Sequence, residues 1–164
     1  MPGMIVSAMA GNVRFRAGQI SDLPTIAELI ASLFELERDF HADLAKQITA
    51  LKLMLPREDV LLWVAEENRD DGLPRVVGFC SVQTLISTAE GGPVALIEDV
   101  VVADGMRGSG IGRRLLEGAE AWARRRGCTR LQLLVDEDNA PAQAFYERLG
   151  WRRGNMRNWK KMLG

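Results

Sequence analysis

A strand, a glycine-rich turn and a helix follow one another directly between Val94 and Gly127, and this succession constrains the fold more than any other part of the chain. The apolar run of strand type ends at Ala103, and helical periodicity begins at Ile111. Glycines in such a turn let the backbone take positive φ angles and approach a ligand closely. The first N–H groups of a helix lack intrahelical partners and carry partial positive charge. We therefore predict that the turn binds an anion, with phosphate as the expected group.

Two common phosphate-binding motifs do not fit this turn. A Walker A loop reads G-x-x-x-x-G-K-[ST], and Gly105 and Gly110 have its first spacing. The next two residues are isoleucine and glycine, so the required lysine and hydroxyl are missing. A dinucleotide fingerprint that starts at Gly108 needs glycine at position 113, which is arginine. Nucleotide phosphotransfer is therefore disfavoured.

Length and charge narrow the class of protein. The 164 residues predict one domain, at residues 13–164, preceded by a loose N-terminus at residues 1–12. A net charge of -1 argues against nucleic-acid binding, which favours a strong basic excess. No apolar run is long enough to span a membrane and no signal peptide is evident, so we expect a cytoplasmic protein. Cys80, Cys128 and His41 form no metal-binding pattern, and no metal is predicted.

The order of the predicted elements indicates an α+β fold. Strands are predicted at residues 13–16, 60–66, 76–86, 94–103 and 130–136. Helices are predicted at residues 23–34, 44–55, 111–126 and 140–149. Ser21 and Asp22 offer capping oxygens to the first helix. The apolar side of the second helix is predicted to contain Leu44, Ile48, Leu51 and Leu55. The tail from Trp151 onward is expected to add one or two closing strands.

Two adjacent carboxylates, Glu98 and Asp99, interrupt the apolar strand at residues 94–103. Successive strand residues point to opposite faces, so these side chains share a solvated side only if a bulge intervenes. At least one of them is therefore expected in a polar pocket or a buried pair. For each carboxylate, a structural role and a place in a catalytic cleft both remain open.

A second acidic stretch connects the first two predicted helices at residues 35–43 and contains four carboxylates. One interpretation is a solvated connection between helices. The other is an acidic entrance that attracts a cationic amine substrate and disfavours anionic ones.

The glycine-rich turn and a second motif together resemble the GCN5-related N-acetyltransferase family over most of the chain. Arg107-x-x-Gly110-x-Gly112 matches the family's acyl-CoA-binding signature, Q/R-x-x-G-x-G/A. The segment from Asn139 to Trp151 reads Asn-Ala-Pro-Ala-Gln-Ala-Phe-Tyr-Glu-Arg-Leu-Gly-Trp and resembles the family's other hallmark. The resemblance implies a mixed, mostly antiparallel twisted sheet of about six to seven strands, with about four flanking helices and strands splayed at the acetyl-CoA site.

The same resemblance implies a set of coenzyme-binding residues. Backbone N–H groups of the turn would hold the diphosphate of coenzyme A, and Val100 and Val102 would pair with the pantetheine arm. Asn139 would contact that arm, and Tyr146 would lie beside the sulfur. The complete predicted set is Val100, Val101, Val102, Arg107, Gly108, Ser109, Gly110, Ile111, Gly112, Arg113, Asn139 and Tyr146.

The implied reaction is direct transfer of an acetyl group from acetyl-CoA to a primary amine in a ternary complex. A protonated amine cannot attack a thioester, so a base must remove its proton. Glu98, acting through a water, is the first candidate for that base, and Asp99 is the alternative. The departing thiolate needs a proton that a phenol can supply, and Tyr146 fits that task. The N–H of Val100, or of its neighbour, would polarise the thioester carbonyl.

The main alternative function is a non-catalytic acyl-CoA-binding sensor on the same fold. The acceptor amine is open, because the strand around Glu98 resembles families that prefer substrates of opposite charge. The acidic stretch at residues 35–43 favours a cationic amine. Homodimers are common in the family, and exposed strands in the tail would suit one.

Overall fold

The computed structural model describes residues 8–35 and 41–164, and the chain divides into two compact units, Met1–Gln132 and Leu133–Gly164. The strands of the first unit are β1 (Ala8–Ala10), β2 (Val13–Ala17), β3 (Val60–Glu67), β4 (Arg75–Ser87), β5 (Gly92–Val102) and β6 (Leu131–Gln132). Its α-helices are α1 (Leu23–Phe34), α2 (Leu44–Met54) and α3 (Ile111–Arg125), and the second unit contains α4 (Ala140–Arg148). Within the described ranges, no helix is both long and apolar enough to cross a bilayer.

The described strands form one sheet in the order β1-β2-β3-β4-β5-β6. Neighbouring strands are antiparallel, except that β5 and β6 are parallel. The parallel pair follows from connectivity, because α3 returns the chain to the same end of the sheet before β6 begins. The predicted α+β fold with a mixed, mostly antiparallel sheet is thereby confirmed.

Close packing against β3 and β4 fixes the position of α3. A β-carbon at Gly78 on β4 would lie 2.9 Å from Ile111 Cγ2 and 3.2 Å from Leu115 Cδ1. A β-carbon at Gly118 on the helix would lie 2.2 Å from the indole nitrogen of Trp63. Because each surface carries a glycine where the other approaches, the helix sits directly on the sheet. The six residues predicted for the apolar side of α3 are all buried: Ile111, Leu115, Leu116, Ala119, Trp122 and Ala123.

A cluster of charged side chains joins β2, β3 and the start of α1. Asp22 is the N-cap residue of α1, as predicted, but its carboxylate does not cap that helix. It accepts hydrogen bonds from Arg16 (2.7 and 3.0 Å) and from the backbone N–H of Gln19 (2.7 Å). Arg16 also donates from Nε to Glu66 at 2.9 Å. The guanidinium therefore takes the oxygens that the sequence assigns to helix capping.

The structure corrects the predictions for both ends of the chain. Residues 8–10, expected in a loose N-terminus, form β1 and pair with β2. Gly11 makes this possible, because its φ of 61° suits the tight turn between the two strands. The described tail from Trp151 to Gly164 contains no strand. Its side chains are almost all exposed, including those of Met156, Trp159, Met162 and Leu163.

Two internal predictions are also corrected. The strand predicted at residues 130–136 is limited to β6, whose pairing with β5 ends at Leu96 and Gln132. A bulge in β5 lies just beyond Leu96, and a bulge bends its strand away from a regular ladder. In α2, Leu44 is 47% exposed, and Leu51 is the buried residue of that helix. The predicted apolar side of α2 is therefore exposed at its start, half-buried at Ile48 and Leu55, and buried at Leu51.

Candidate active site

The turn between β5 and α3 has the backbone geometry of an anion site. Gly108 and Gly110 have φ angles of 79° and 85°, in the left-handed region that favours glycine, while Gly112 is already part of α3. Gly110 is the N-cap residue and, as a glycine, offers no side-chain oxygen to the first-turn N–H groups. These groups must be satisfied by water or a ligand, because a helix start has no backbone acceptors for them.

Side chains around the turn form weak, exposed ion pairs. Arg107 contacts Asp104 at 3.1 Å, and Arg113 contacts Glu117 at 3.0 Å. All four of these side chains are at least half exposed, so each pair contributes little to stability. Ser109 donates its hydroxyl proton to the backbone carbonyl of Met106 and thereby closes the turn on itself. The two arginines therefore flank the predicted anion site, and separating them from their carboxylate partners costs little free energy.

A β-bulge interrupts β5 just before this turn. Val82 on β4 is paired with Ile97, and Ser81 is paired with Asp99, so Glu98 is the extra residue. Paired residues share a face of the sheet and neighbouring residues do not. The bulge therefore places Asp99 on the opposite face from Ile97, although both have odd numbers. A bulge is the condition under which both carboxylates could share a solvated side, but here Glu98 is exposed and Asp99 is buried.

The two carboxylates of β5 have different surroundings. Glu98 is exposed, whereas Asp99 is 9% exposed and hydrogen-bonds to Ser81 on β4. The Ser81 hydroxyl donates to Asp99 Oδ2 at 2.7 Å and accepts from the Asp99 backbone N–H at 3.1 Å. Burial raises the pKa of Asp99 to about 6, and the hydrogen bond from Ser81 only partly offsets this. The prediction that at least one carboxylate would be buried in a pair is confirmed for Asp99.

The three valines predicted to contact pantetheine follow the bulge on β5. Val100, Val101 and Val102 are paired with residues 80 to 78 of β4. On the other side of β5, the parallel ladder with β6 joins Ala95 and Leu96 to residues 131 and 132. The bulge, the three valines and the glycine turn follow one another along the chain. The predicted residues from Glu98 to Arg113 therefore form one continuous segment from β5 to the start of α3.

The remaining predicted residues belong to the second unit. Asn139 is the N-cap of α4, and its side-chain oxygen accepts from the N–H of Ala142 at 3.1 Å. Tyr146 is half-buried on α4, with edge-to-face ring contacts to Phe145 and Trp151 at centroid distances of 5.2 and 5.7 Å. The hallmark segment therefore folds as one capped helix that holds its tyrosine between two aromatic rings.

The acidic stretch and Ser81 are two points at which the sequence analysis is untested or incomplete. Most of the acidic stretch at residues 35–43 falls on residues 36–40, which lie outside the described part of the chain. Ser81, by contrast, was missed, because it sits in an apolar run that reads as an ordinary buried strand. Its only signal is a hydroxyl within that run, and its importance depends on the register that sets it opposite Asp99.

Comparisons with known proteins support a common fold and a family. A family model described as the acetyltransferase (GNAT) family matches residues 25–151. The chain is similar to an uncharacterised N-acetyltransferase of Methanocaldococcus jannaschii, with 33% identity over 114 residues that cover 68% of this chain and 48% of that protein. It is also similar to N-alpha-acetyltransferase 80 of Mus musculus, with 36% identity over 94 residues, covering 57% and 28%. These matches span less than half of either relative.

Two solved structures are similar to this chain over nearly its whole length. The crystal structure of a Trypanosoma brucei acetyltransferase has 27% sequence identity and a TM-score of 0.70, and the match covers 92% of this chain and 99% of that one. A crystal structure described as a transcriptional regulator from Bacillus halodurans has 26% identity and a TM-score of 0.77, covering 92% and 99%. Both similarities extend well beyond the strand, turn and helix of the anion site.

Proposed function

The chain belongs to the acetyltransferase (GNAT) family, and we propose that it transfers an acetyl group from acetyl-CoA to the primary amine of a small molecule or peptide. The observation that carries this proposal is the start of α3, where a glycine N-cap leaves the first-turn N–H groups to a ligand. The turn also carries the residues that match the family's coenzyme signature. A diphosphate is a suitable ligand, because it is anionic and presents several acceptor oxygens.

Coenzyme A binds through its diphosphate in this proposal. The positive φ angles at Gly108 and Gly110 turn the backbone toward the phosphates without a β-carbon in the way. Arg107 and Arg113 exchange their exposed carboxylate partners for phosphate oxygens, which form stronger charge-assisted hydrogen bonds. The pantetheine arm then follows β5 along Val100 to Val102.

Acetyl transfer requires one proton to leave the amine and one to reach the sulfur. Glu98 is suited to the first task, because it is the exposed extra residue of the bulge and can receive the amine proton through a water. Tyr146 is suited to the second, because a phenol with a pKa near ~10 is protonated at neutral pH and can donate to the departing thiolate. The N–H of Val100 is placed next in the chain to stabilise the developing charge on the thioester oxygen. The carbonyl carbon gains the nitrogen and loses the sulfur in a single transfer.

Thiol release from acetyl-CoA tests this function directly. The wild-type protein is incubated with acetyl-CoA and a panel of cationic, neutral and anionic amines, and free coenzyme A is measured together with the acetylated product. We expect turnover with at least one amine. Tyr146→Phe should lower kcat by about 100-fold, since general acid catalysis has that magnitude, with little change in coenzyme affinity.

Trp159→Phe is the matched control, because Trp159 is a 92% exposed aromatic residue in the same unit. It should retain wild-type turnover. Binding of coenzyme A without turnover on the whole panel would reject the catalytic proposal and support an acyl-CoA sensor. Equal rates for Tyr146→Phe and the wild type would remove Tyr146 from the mechanism.

A further inference from the structure

Two hydrogen bonds between Ser81 and Asp99 join β4 to β5 at the bulge. The hydroxyl of Ser81 donates to the Asp99 carboxylate at 2.7 Å, and it accepts the backbone N–H of Asp99 at 3.1 Å. Ser81 is completely buried and Asp99 is 9% exposed, so little water competes for either bond. One hydroxyl thus satisfies both the side chain and the main chain of the same residue.

This arrangement replaces a piece of the regular ladder. In an antiparallel pair, a backbone N–H normally bonds to a backbone carbonyl of the neighbouring strand. A bulge disrupts that pattern and leaves a residue unpaired. Here the Asp99 N–H is satisfied by a side chain on β4, and the carboxylate of Asp99 in turn fixes the orientation of that hydroxyl.

The position of this pair in the chain connects it with the proposed chemistry. Asp99 lies between Glu98, the proposed base, and Val100, whose N–H faces the thioester oxygen in the proposed reaction. A shift of Asp99 therefore moves both groups, because each is only one peptide unit away. Displacement of a reacting group by about 1 Å can cost on the order of 100-fold in rate.

We propose that Ser81 and Asp99 are a positioning pair, which holds the β5 bulge so that Glu98 and the Val100 N–H are aligned for acyl transfer. Neither side chain exchanges a proton with the substrate in this role. The alignment rests on the proposed acetyltransferase function, whereas the fixing of the bulge does not. The two parts can accordingly be tested separately.

Amide hydrogen exchange tests the fixing of the bulge without any substrate. In the wild type, the Asp99 N–H should be strongly protected. Ser81→Ala removes its acceptor, so exchange at Asp99 should accelerate at least about tenfold, while the Leu115 amide in α3 stays protected. Ser81→Thr keeps the hydroxyl and should restore protection. Unchanged exchange at Asp99 in Ser81→Ala would overturn the proposal whether or not the protein is an enzyme.

Steady-state kinetics test the alignment. Ser81→Ala should lower kcat by about 10- to 100-fold, with the dissociation constant for coenzyme A within about threefold of wild type, because the diphosphate site lies beyond the bulge. Ser81→Thr should recover most of the lost rate. Cys80→Ala is the matched control, because Cys80 is the fully buried neighbour on β4 and also loses one heavy atom. It should keep kcat within about threefold of wild type.

The kinetic outcomes separate the two proposals. A wild-type protein without turnover on the amine panel rejects the acetyltransferase function, and with it the alignment. An active wild type combined with equal kcat values for Ser81→Ala and Cys80→Ala rejects the positioning pair alone. A Ser81→Thr variant that protects the Asp99 amide as well as the wild type, yet fails to recover the rate lost in Ser81→Ala, would also contradict it, because fixing the bulge would not restore the alignment.

Discussion

Two carboxylates of the first unit are almost equally buried, yet their surroundings push their pKa values in opposite directions. Asp22 is 7% exposed and Asp99 is 9% exposed. Burial tends to raise the pKa of Asp22, but hydrogen bonds from Arg16 and from the Gln19 N–H outweigh it and hold that pKa below its usual value. Asp99 has a neutral partner, Ser81, and burial raises its pKa to about 6. Burial acts to raise both pKa values, and it is outweighed only at Asp22, where a cation and a backbone N–H donate hydrogen bonds.

The difference separates a structural carboxylate from one beside a candidate active site. Asp22 shares Arg16 with Glu66, and this hydrogen-bonded cluster ties β2, β3 and α1 together far from the glycine turn in sequence. Asp99 is held by a hydroxyl at the bulge that precedes the turn. A charged group whose environment does not neutralise it costs stability, and such groups are concentrated at functional sites.

The largest expected effect comes from removing the cation of the Arg16, Asp22 and Glu66 cluster. Arg16→Met leaves the two partly buried carboxylates Asp22 and Glu66 without their cation. Such a loss should lower the free energy of unfolding by about 3 kcal/mol. Urea denaturation measures it, with Arg57→Met as the control, because Arg57 forms only an exposed pair with Asp59. Similar losses in both variants would mean that Arg16 behaves as a surface residue.

A smaller effect with a defined pH dependence is expected at Asp99. Its pKa is raised from 3.8 to about 6 in the folded state. Between pH 3.8 and about 6, Asp99 is therefore mostly protonated in the folded protein and mostly ionised in the unfolded chain. The stability associated with Asp99 is therefore fully present below about pH 4 and is lost as the pH rises through about 6. Asp99→Asn cannot take up the charge.

Relative to wild type, Asp99→Asn should gain about 2 kcal/mol in the free energy of unfolding between pH 4 and pH 7. Urea titrations of both proteins at pH 4, 5, 6 and 7 measure the difference, in which the contributions of Asp22 and other groups cancel. A constant difference across this range would show that Asp99 is not perturbed. A decrease of this difference with rising pH would mean that folding lowers the pKa of Asp99, as it does that of Asp22, and would contradict the contrast between the two.

Sequence reasoning succeeded where structure depends on neighbours along the chain. The buried side of α3, the glycine turn and the Asn139 cap each follow from the residues within one or two helical turns. The bulge in β5 was only a condition in that reasoning, and its partner Ser81 was missed. That pair depends on the register between β4 and β5, which no local pattern fixes.

The wrong predictions have the same origin. Asp22 carries a good capping side chain, but a guanidinium on β2 competes successfully for its oxygens. Leu44 has the spacing of a buried residue, but it lies at the exposed start of α2. In the tail, apolar residues such as Trp159 suggest a strand, but in the structure these side chains are exposed. At Asp22 a contact with a distant strand decided the outcome. At Leu44 and in the tail, no such contact is present among the described residues.

Binding of coenzyme A at the start of α3 is the central claim, and isothermal titration calorimetry with coenzyme A tests it most directly. Gly110→Asp puts bulk and negative charge where the diphosphate should lie. Gly127→Asp is the control, because Gly127 also has a positive φ (73°) and open space around it, but follows the other end of the helix. We expect wild type and Gly127→Asp to bind alike, and Gly110→Asp to bind at least about 100-fold more weakly. Equal affinity for all three proteins, or no binding by the wild type, would contradict the account.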